Sequence, residues 1–221
     1  LVTELKKKTE HPTVLFFDGS LIFWHLESKD VKLQRYFLHS YLSTLEELYR
    51  EQIPVMGYIS LPKSKDLVNL IRAQTTEFLG TSSERAALFK HTVDAVVAHM
   101  FLPIGSCTAL FKSHTAITKE YPEHLTPWFC YYATQDEVVR IEFPQYSALD
   151  ERLFNQGMCV VIDQIKKGNG YPVALAEAHM QAVVQGSDRE FFYHALGKYG
   201  SEQKRSLKMS QKNLKKRKMS I

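Results

Sequence analysis

Asp18 stands between Phe17 and Gly19, at the end of the apolar run T-V-L-F-F over residues 13–17. A bare carboxylate is costly to bury there, so it calls for a turn, a donor network or a cation. Two readings compete. Asp-Gly between two apolar runs is a hairpin-turn signal, and a hard metal held by oxygen ligands is the alternative. Asp94 has Val93, Ala95, Val96 and Val97 around it, which directs it inward or to a sheet edge. Glu77 lies 17 positions earlier, beside Phe78 and Leu79. It reads equally well as a solvated helical glutamate, because most glutamates are exposed.

A second constellation is Y-P-V-A-L-A-E-A-H, which runs from Tyr171 to His179. The alanines at 176, 178 and 182 leave room beside His179 for a large group to approach. A packed histidine with a satisfied ring nitrogen is the plainer reading. Histidine also ligates metals and moves protons near neutrality, and a tyrosine hydroxyl can donate to a phosphate oxygen.

Other chemistries lack support. The chain has no G-x-x-x-x-G-K-[ST] loop, no G-x-G-x-x-G fingerprint and no H-E-x-x-H. It has no G-x-S-x-G elbow either. The three cysteines, Cys107, Cys130 and Cys159, form no Cys-x-x-Cys pair. An odd number without a framework fits a reducing compartment, and so a cytoplasmic location.

The elements that position these residues are legible from periodicity. Residues 13–17 and 55–60 read as strands, and 21–24 as a further apolar run. Leu33, Phe37, Tyr41, Leu45 and Leu48 mark an amphipathic helix over 33–52. A second helix begins near Ser64, with Leu67, Leu70, Ile71 and Phe78 on one face, and a third covers about 85–101. Strands follow at 108–111, 128–133 and 137–143, with Thr134-Gln135-Asp136 as a hairpin turn. After Pro144 the helical spacing returns at Leu149, Leu153, Met158, Val161, Ile162 and Ile165. Residues 167–170 (K-G-N-G) break it. Pro172 opens another helix, which runs to about 184, and Ser187 or Asp188 caps a last one over 189–198.

Length and composition bound the rest. The chain has 221 residues, 44% hydrophobic and 24% charged, values that fit a folded domain with a sizeable core. No apolar run reaches the roughly 18 residues a membrane span needs. The net charge of +4 is unevenly spread. Residues 201–221 hold eight Lys or Arg against Glu202 alone. The first 200 residues hold 20 basic and 23 acidic side chains. A basic tail on a near-neutral body suggests a polyanionic partner, gripped through Lys212, Lys215, Lys216, Arg217 and Lys218.

Several segments, taken in order, resemble the NurA nuclease family, especially its bacterial and cyanobacterial-type members. They are F-F-D-G-S at 16–20, I-P-V-M-G-Y-I-S at 53–60, P-K-S-K-D-L-V-N at 62–69, V-D-A at 93–95, S-C-T-A-L-F at 106–111, V-R-I-E-F-P at 139–144 and G-Y-P-V-A-L-A-E-A-H at 170–179. The basic K-N-L-K-K-R-K end is similar too. The resemblance implies an α/β fold with an RNase H-like core: a mixed β-sheet flanked by helices, with a helical C-terminal part. The nuclease domain would cover 13–200, after a lead-in at 1–12 and before a tail at 201–221. It implies Mn²⁺- or Mg²⁺-dependent cleavage of DNA, trimming ends 5′ to 3′ and cutting single strands. It also implies a homodimer working beside a hexameric HerA-type ATPase in double-strand-break repair. Residue by residue, it places Asp18, Asp94, Glu77 and His179 on the metal and Tyr171 in the catalytic set. The chain departs from the family at residues 104–107, where I-G-S-C replaces a charged turn. That departure motivates a second reading, a non-catalytic module that binds DNA or the ATPase.

Overall fold

Residues 15–18 form the first strand, β1 (Leu15–Asp18), of a five-stranded sheet with the order β1-β2-β5-β4-β3. The computed structural model describes residues 11–79 and 91–183 (side chains of 75–79 excepted), with isolated positions at 4, 6 and between 191 and 199. Strand β2 (Val55–Ile59) lies between β1 and β5. It is buried on both sides except at Ile59, which explains why V-M-G-Y-I carries no polar alternation. Its partner β1 runs parallel to it, and β5 (Val138–Pro144) runs antiparallel. Strand β4 (Pro127–Ala133) pairs with β5, and the two-residue β3 (Phe111–Lys112) closes the far edge.

The parallel pair needs a crossover, which α1 (Val31–Arg50) supplies. Asp30 starts it by accepting from the backbone N–H groups of Lys32 and Leu33. The helix therefore begins two residues before the spacing predicts. The run 21–24 is not a strand. It is a turn leading into a 3₁₀ segment, Trp24–Leu26.

Alternation divides the sheet into two faces. On one, Phe16, Met56, Tyr58, Cys130, Tyr132, Val139, Ile141 and Phe143 pack beneath α5 (Glu151–Lys167), through Met158, Val161 and Ile165. On the other, Leu15, Phe17 and Val55 meet Leu45 and Leu48 of α1, while Phe129, Tyr131 and Val138 meet Ala98. Ala98 belongs to α3 (Asp94–Phe101). Helix α2 (Asp66–Leu79) turns only part of the expected stripe inward, with Leu67 packed beside Ala98 and Phe129. Val68 is buried, while Leu70 and Ile71 are exposed.

The helix after Pro144 is two helices. Asp150 accepts from the N–H of Leu153 and caps α5, so Leu149 ends a short α4 (Gln145–Leu149) and is exposed. Helix α6 (Val173–Ala182) follows Pro172, as predicted. The hairpin turn at 134–136 is also present, where the Thr134 N–H donates to the Glu137 carbonyl. Of the last predicted helix, the described residues between 191 and 199 are helical, and its predicted caps lie outside the described residues. The chain divides into two units, Leu1–Ala176 and Glu177–Ile221. Among the described residues, no helix is long and apolar enough to cross a membrane.

Candidate active site

The site is built where β1 runs out. Phe17 pairs with Gly57 and Asp18 with Tyr58. Beyond Asp18 the backbone swings over the sheet rim: Gly19 takes φ +124, a conformation that L side chains rarely adopt, and its N–H donates to the Tyr58 carbonyl. The turn lies directly on Gly57. A Cβ there would come within 2.7 Å of the Gly19 carbonyl oxygen. Asp-Gly-Ser is therefore not a hairpin turn between paired strands. It wraps the end of an edge strand and leaves the Asp18 carboxylate exposed.

Tyr171 reaches this carboxylate from 153 positions away. Asn169 and Gly170 adopt positive φ after α5, and the chain doubles back. The Tyr171 ring then stands edge-on to the Tyr58 ring, with centroids 5.4 Å apart. Its hydroxyl donates to Asp18 Oδ1 at 3.2 Å. Burial and the neighbouring Asp18 charge raise the pKa of Tyr171, so it remains a donor at neutral pH. Glu137 also adds to this shift. It accepts from Ser60 Oγ at 2.7 Å and from the Leu61 N–H at 2.8 Å. Tyr58 is buried, and its hydroxyl has no partner among the described residues.

On the other face of the sheet lies a buried polar chain that motif spacing does not reveal. Arg140 donates through Nε to Glu142 at 2.8 Å and through Nη1 to Asp66 at 2.6 Å. Burial opposes its charge, but Glu142 and Asp66 outweigh that and raise its pKa. The guanidinium lies 3.7 Å from the centre of the Phe129 ring. The second oxygen of Glu142 accepts from Ser20 Oγ at 2.8 Å and from the Leu21 N–H at 2.7 Å. The turn after Asp18 is thus tied to the sheet interior by a carboxylate. A cleft of about 650 Å³ opens above this chain. Gly19, Ser20, Trp24, Lys63, Lys65 and His114 are on its walls, as are Asp66 and Arg140. The available signal is the alternation of Arg140 and Glu142 in an otherwise apolar strand, since charges in a central strand need a purpose.

Asp94 does not join Asp18. It is fully buried, and both of its oxygens are engaged: Oδ1 accepts from the Val68 N–H at 2.9 Å and Oδ2 from the Tyr131 hydroxyl at 2.7 Å. Tyr131 belongs to the face opposite Phe16, and alternation puts Asp18 on the Phe16 face. The Asp18 side chain and the partner of Asp94 thus lie on opposite faces of the sheet. Asp94 points inward as predicted, but to hold the first turn of α2. Glu77 falls in α2, and its side chain lies outside the described residues. His179 is exposed and belongs to the second unit, so its place in the site is a proposal. Lys212, Lys215, Lys216, Arg217 and Lys218 lie outside the described residues. Among the described residues, no three His, Cys, Asp or Glu side chains are grouped to hold a metal ion. At the end of β1, Asp18 is an exposed carboxylate oriented by Tyr171.

No curated protein sequence matches the chain. Among solved structures, the NurA nuclease from Sulfolobus solfataricus is similar, with 16% identity and a TM-score of 0.51. The match covers 90% of this chain, and the chain spans 63% of the length of that protein. At that identity the likeness shows the fold, a mixed sheet flanked by helices. The sequence model of the NurA domain matches residues 1–184, which include β1, the turn after Asp18, the buried Arg140–Glu142 pair and Tyr171. On that match the chain belongs to the NurA family.

Proposed function

We propose that this chain is a metal-dependent deoxyribonuclease with an RNase H-like core, acting on single strands and on DNA ends. The observation that carries the reading is the bond from Tyr171 to Asp18, which joins two candidate residues for this chemistry across 153 positions. A bound Mn²⁺ or Mg²⁺ supplies an activated water and charge stabilisation at the scissile phosphate. Asp18 offers it an oxygen ligand, and Glu77 and His179 are the proposed further donors. Tyr171 fixes the rotamer of Asp18, so the carboxylate is oriented before any cation arrives. Lys63 and Lys65 on the adjacent cleft, with the basic tail, draw in the polyanion. The family resemblance supplies the setting we propose: 5′ to 3′ trimming in double-strand-break repair, as a cytoplasmic homodimer beside a HerA-type ATPase.

The test is cleavage of labelled single-stranded, blunt duplex and RNA oligonucleotides of matched sequence, with Mn²⁺, Mg²⁺ or EDTA. The reading expects metal-dependent products from DNA and none in EDTA. One feature favours a second reading, a non-catalytic module that binds DNA or the ATPase: the uncharged I-G-S-C turn at 104–107. Retained DNA binding with no cleavage in either metal would select it.

A further inference from the structure

The cleft above Arg140 has the makings of a subsite for a nucleotide. We propose that it seats one nucleotide of a single strand, with the base stacked on Trp24 and the phosphate between Lys63, Lys65 and Arg140. The proposal deepens the nuclease reading and rests on it.

Trp24 is 41% exposed and lines the cleft. It is also held in place. Its Nε1–H donates to Ser20 Oγ at 3.1 Å, Ser20 Oγ donates to Glu142, and Glu142 accepts from buried Arg140. The indole is therefore fixed before a ligand arrives, which lowers the entropic cost of stacking. Every base has a π-face, so such a platform tolerates sequence.

The opposite wall is cationic. Lys63 and Lys65 come from the segment that leads into α2, a helix of 14 residues. Asn69, one turn along, also faces the cleft. The first turn of α2 is itself engaged, the Val68 N–H with Asp94 and the Asn69 N–H with the Lys65 carbonyl, so the lysines are what draw an anion here. A second observation points the same way. Arg140 is 1% exposed and lies on the cleft wall, yet its Nη2 has no partner among the described residues. An unpaired buried donor is costly, and a ligand oxygen in the cleft would satisfy it. Asp66 and Glu142 are both paired to this one guanidinium and outweigh its charge, so Lys63 and Lys65 supply the net attraction for that oxygen. About 650 Å³ is within the range of small-ligand sites, roughly 300–1,000 Å³.

Gly19 and Ser20, the two residues after Asp18, line the cleft. A base inside a duplex is already stacked and cannot lie on Trp24. The subsite therefore favours single strands and frayed ends.

The experiment is fluorescence titration in EDTA, which separates binding from cleavage, in a Trp128→Phe background so that Trp24 is the remaining tryptophan fluorophore. The probe is an octathymidylate, with an abasic octamer of equal charge as control. The proposal expects quenching by the octathymidylate and none by the abasic chain. Affinities of the variants are read from the anisotropy of a dye-labelled octathymidylate, where the proposal expects Trp24→Leu to weaken binding by about tenfold or more and Trp24→Phe to restore most of it. Lys63→Ala with Lys65→Ala should weaken both probes and flatten the salt dependence. Binding without quenching, or unchanged affinity in a folded Trp24→Leu, would overturn the subsite. If Mn²⁺ cleavage is absent but quenching persists, the nuclease reading fails and the subsite stands. If cleavage occurs without quenching, the subsite fails and the nuclease reading stands.

Discussion

Tyr171 Oη lies 3.2 Å from Asp18 Oδ1 and donates to it. The bond joins the loop after α5 to the end of β1. It orients a carboxylate at the one place where the edge strand stops and the backbone turns away. Tyr171→Phe keeps the ring against Tyr58 and deletes only the donor. We expect the fold to persist and metal-dependent cleavage to fall about 10- to 100-fold, as for other outer partners of ligand carboxylates. Steady-state cleavage rates and circular dichroism on the same samples check this.

Gly57→Ala tests how the turn is seated. The new Cβ would come within 2.7 Å of the Gly19 carbonyl, a backbone atom that cannot rotate away. Overpacking of this kind costs about 1–3 kcal/mol. Here the strain falls on the residue next to Asp18. Denaturant midpoints should drop, and cleavage should fall further than the loss of folded protein accounts for.

Asp94→Asn tests the structural role of that residue. Its two bonds tie the first turn of α2 to Tyr131, and bonds to a buried charge are worth about 1.5–3 kcal/mol. The variant should lose stability of that order and keep the Mn²⁺ dependence of the parent. A raised Mn²⁺ requirement at unchanged stability would return Asp94 to the ligand set.

Cys107 gives a pH-dependent signal that does not depend on the nuclease reading. A hydrogen bond from the Cys130 thiol is the main cause that lowers its pKa to about 6, against a partial opposing effect of burial. The bonded partner is pushed up instead. The thiolate of Cys107 therefore forms as pH rises through about 6, where a free thiol waits until about 8.5. Iodoacetamide labelling of Cys107, followed by peptide mapping, should rise through about pH 6 and level off by about pH 8. Cys130→Ala, which deletes the donor, should move the rise upward.

Much of the fold is legible in the sequence, for identifiable reasons. The run 55–59 and the long period-3.6 pattern in 31–50 are dense signals, and Asp30 and Asp150 refine the helix starts. The turn after Asp18 reads as a hairpin because a hairpin and a parallel edge strand look alike locally. Only the pairing of β1 with β2 separates them, and Asp18 meets Tyr58 40 residues further along the chain. Asp94 reads as buried but not as bonded, because Tyr131 and Val68 are remote in sequence. Arg140, Glu142 and Asp66 escape notice for the same reason. Each is ordinary alone, and only the fold joins them into one chain of ion pairs.

The central claim is that the Asp18 carboxylate is the anchor of a metal-dependent DNA-cutting centre. Asp18→Asn preserves the shape and the approach of Tyr171 while removing the charge. Measured on 5′-labelled single-stranded DNA across a Mn²⁺ titration, the account predicts loss of cleavage by about a hundredfold or more, with unchanged folding and DNA binding in EDTA. Cleavage by Asp18→Asn at the parental rate and the parental Mn²⁺ midpoint would contradict it.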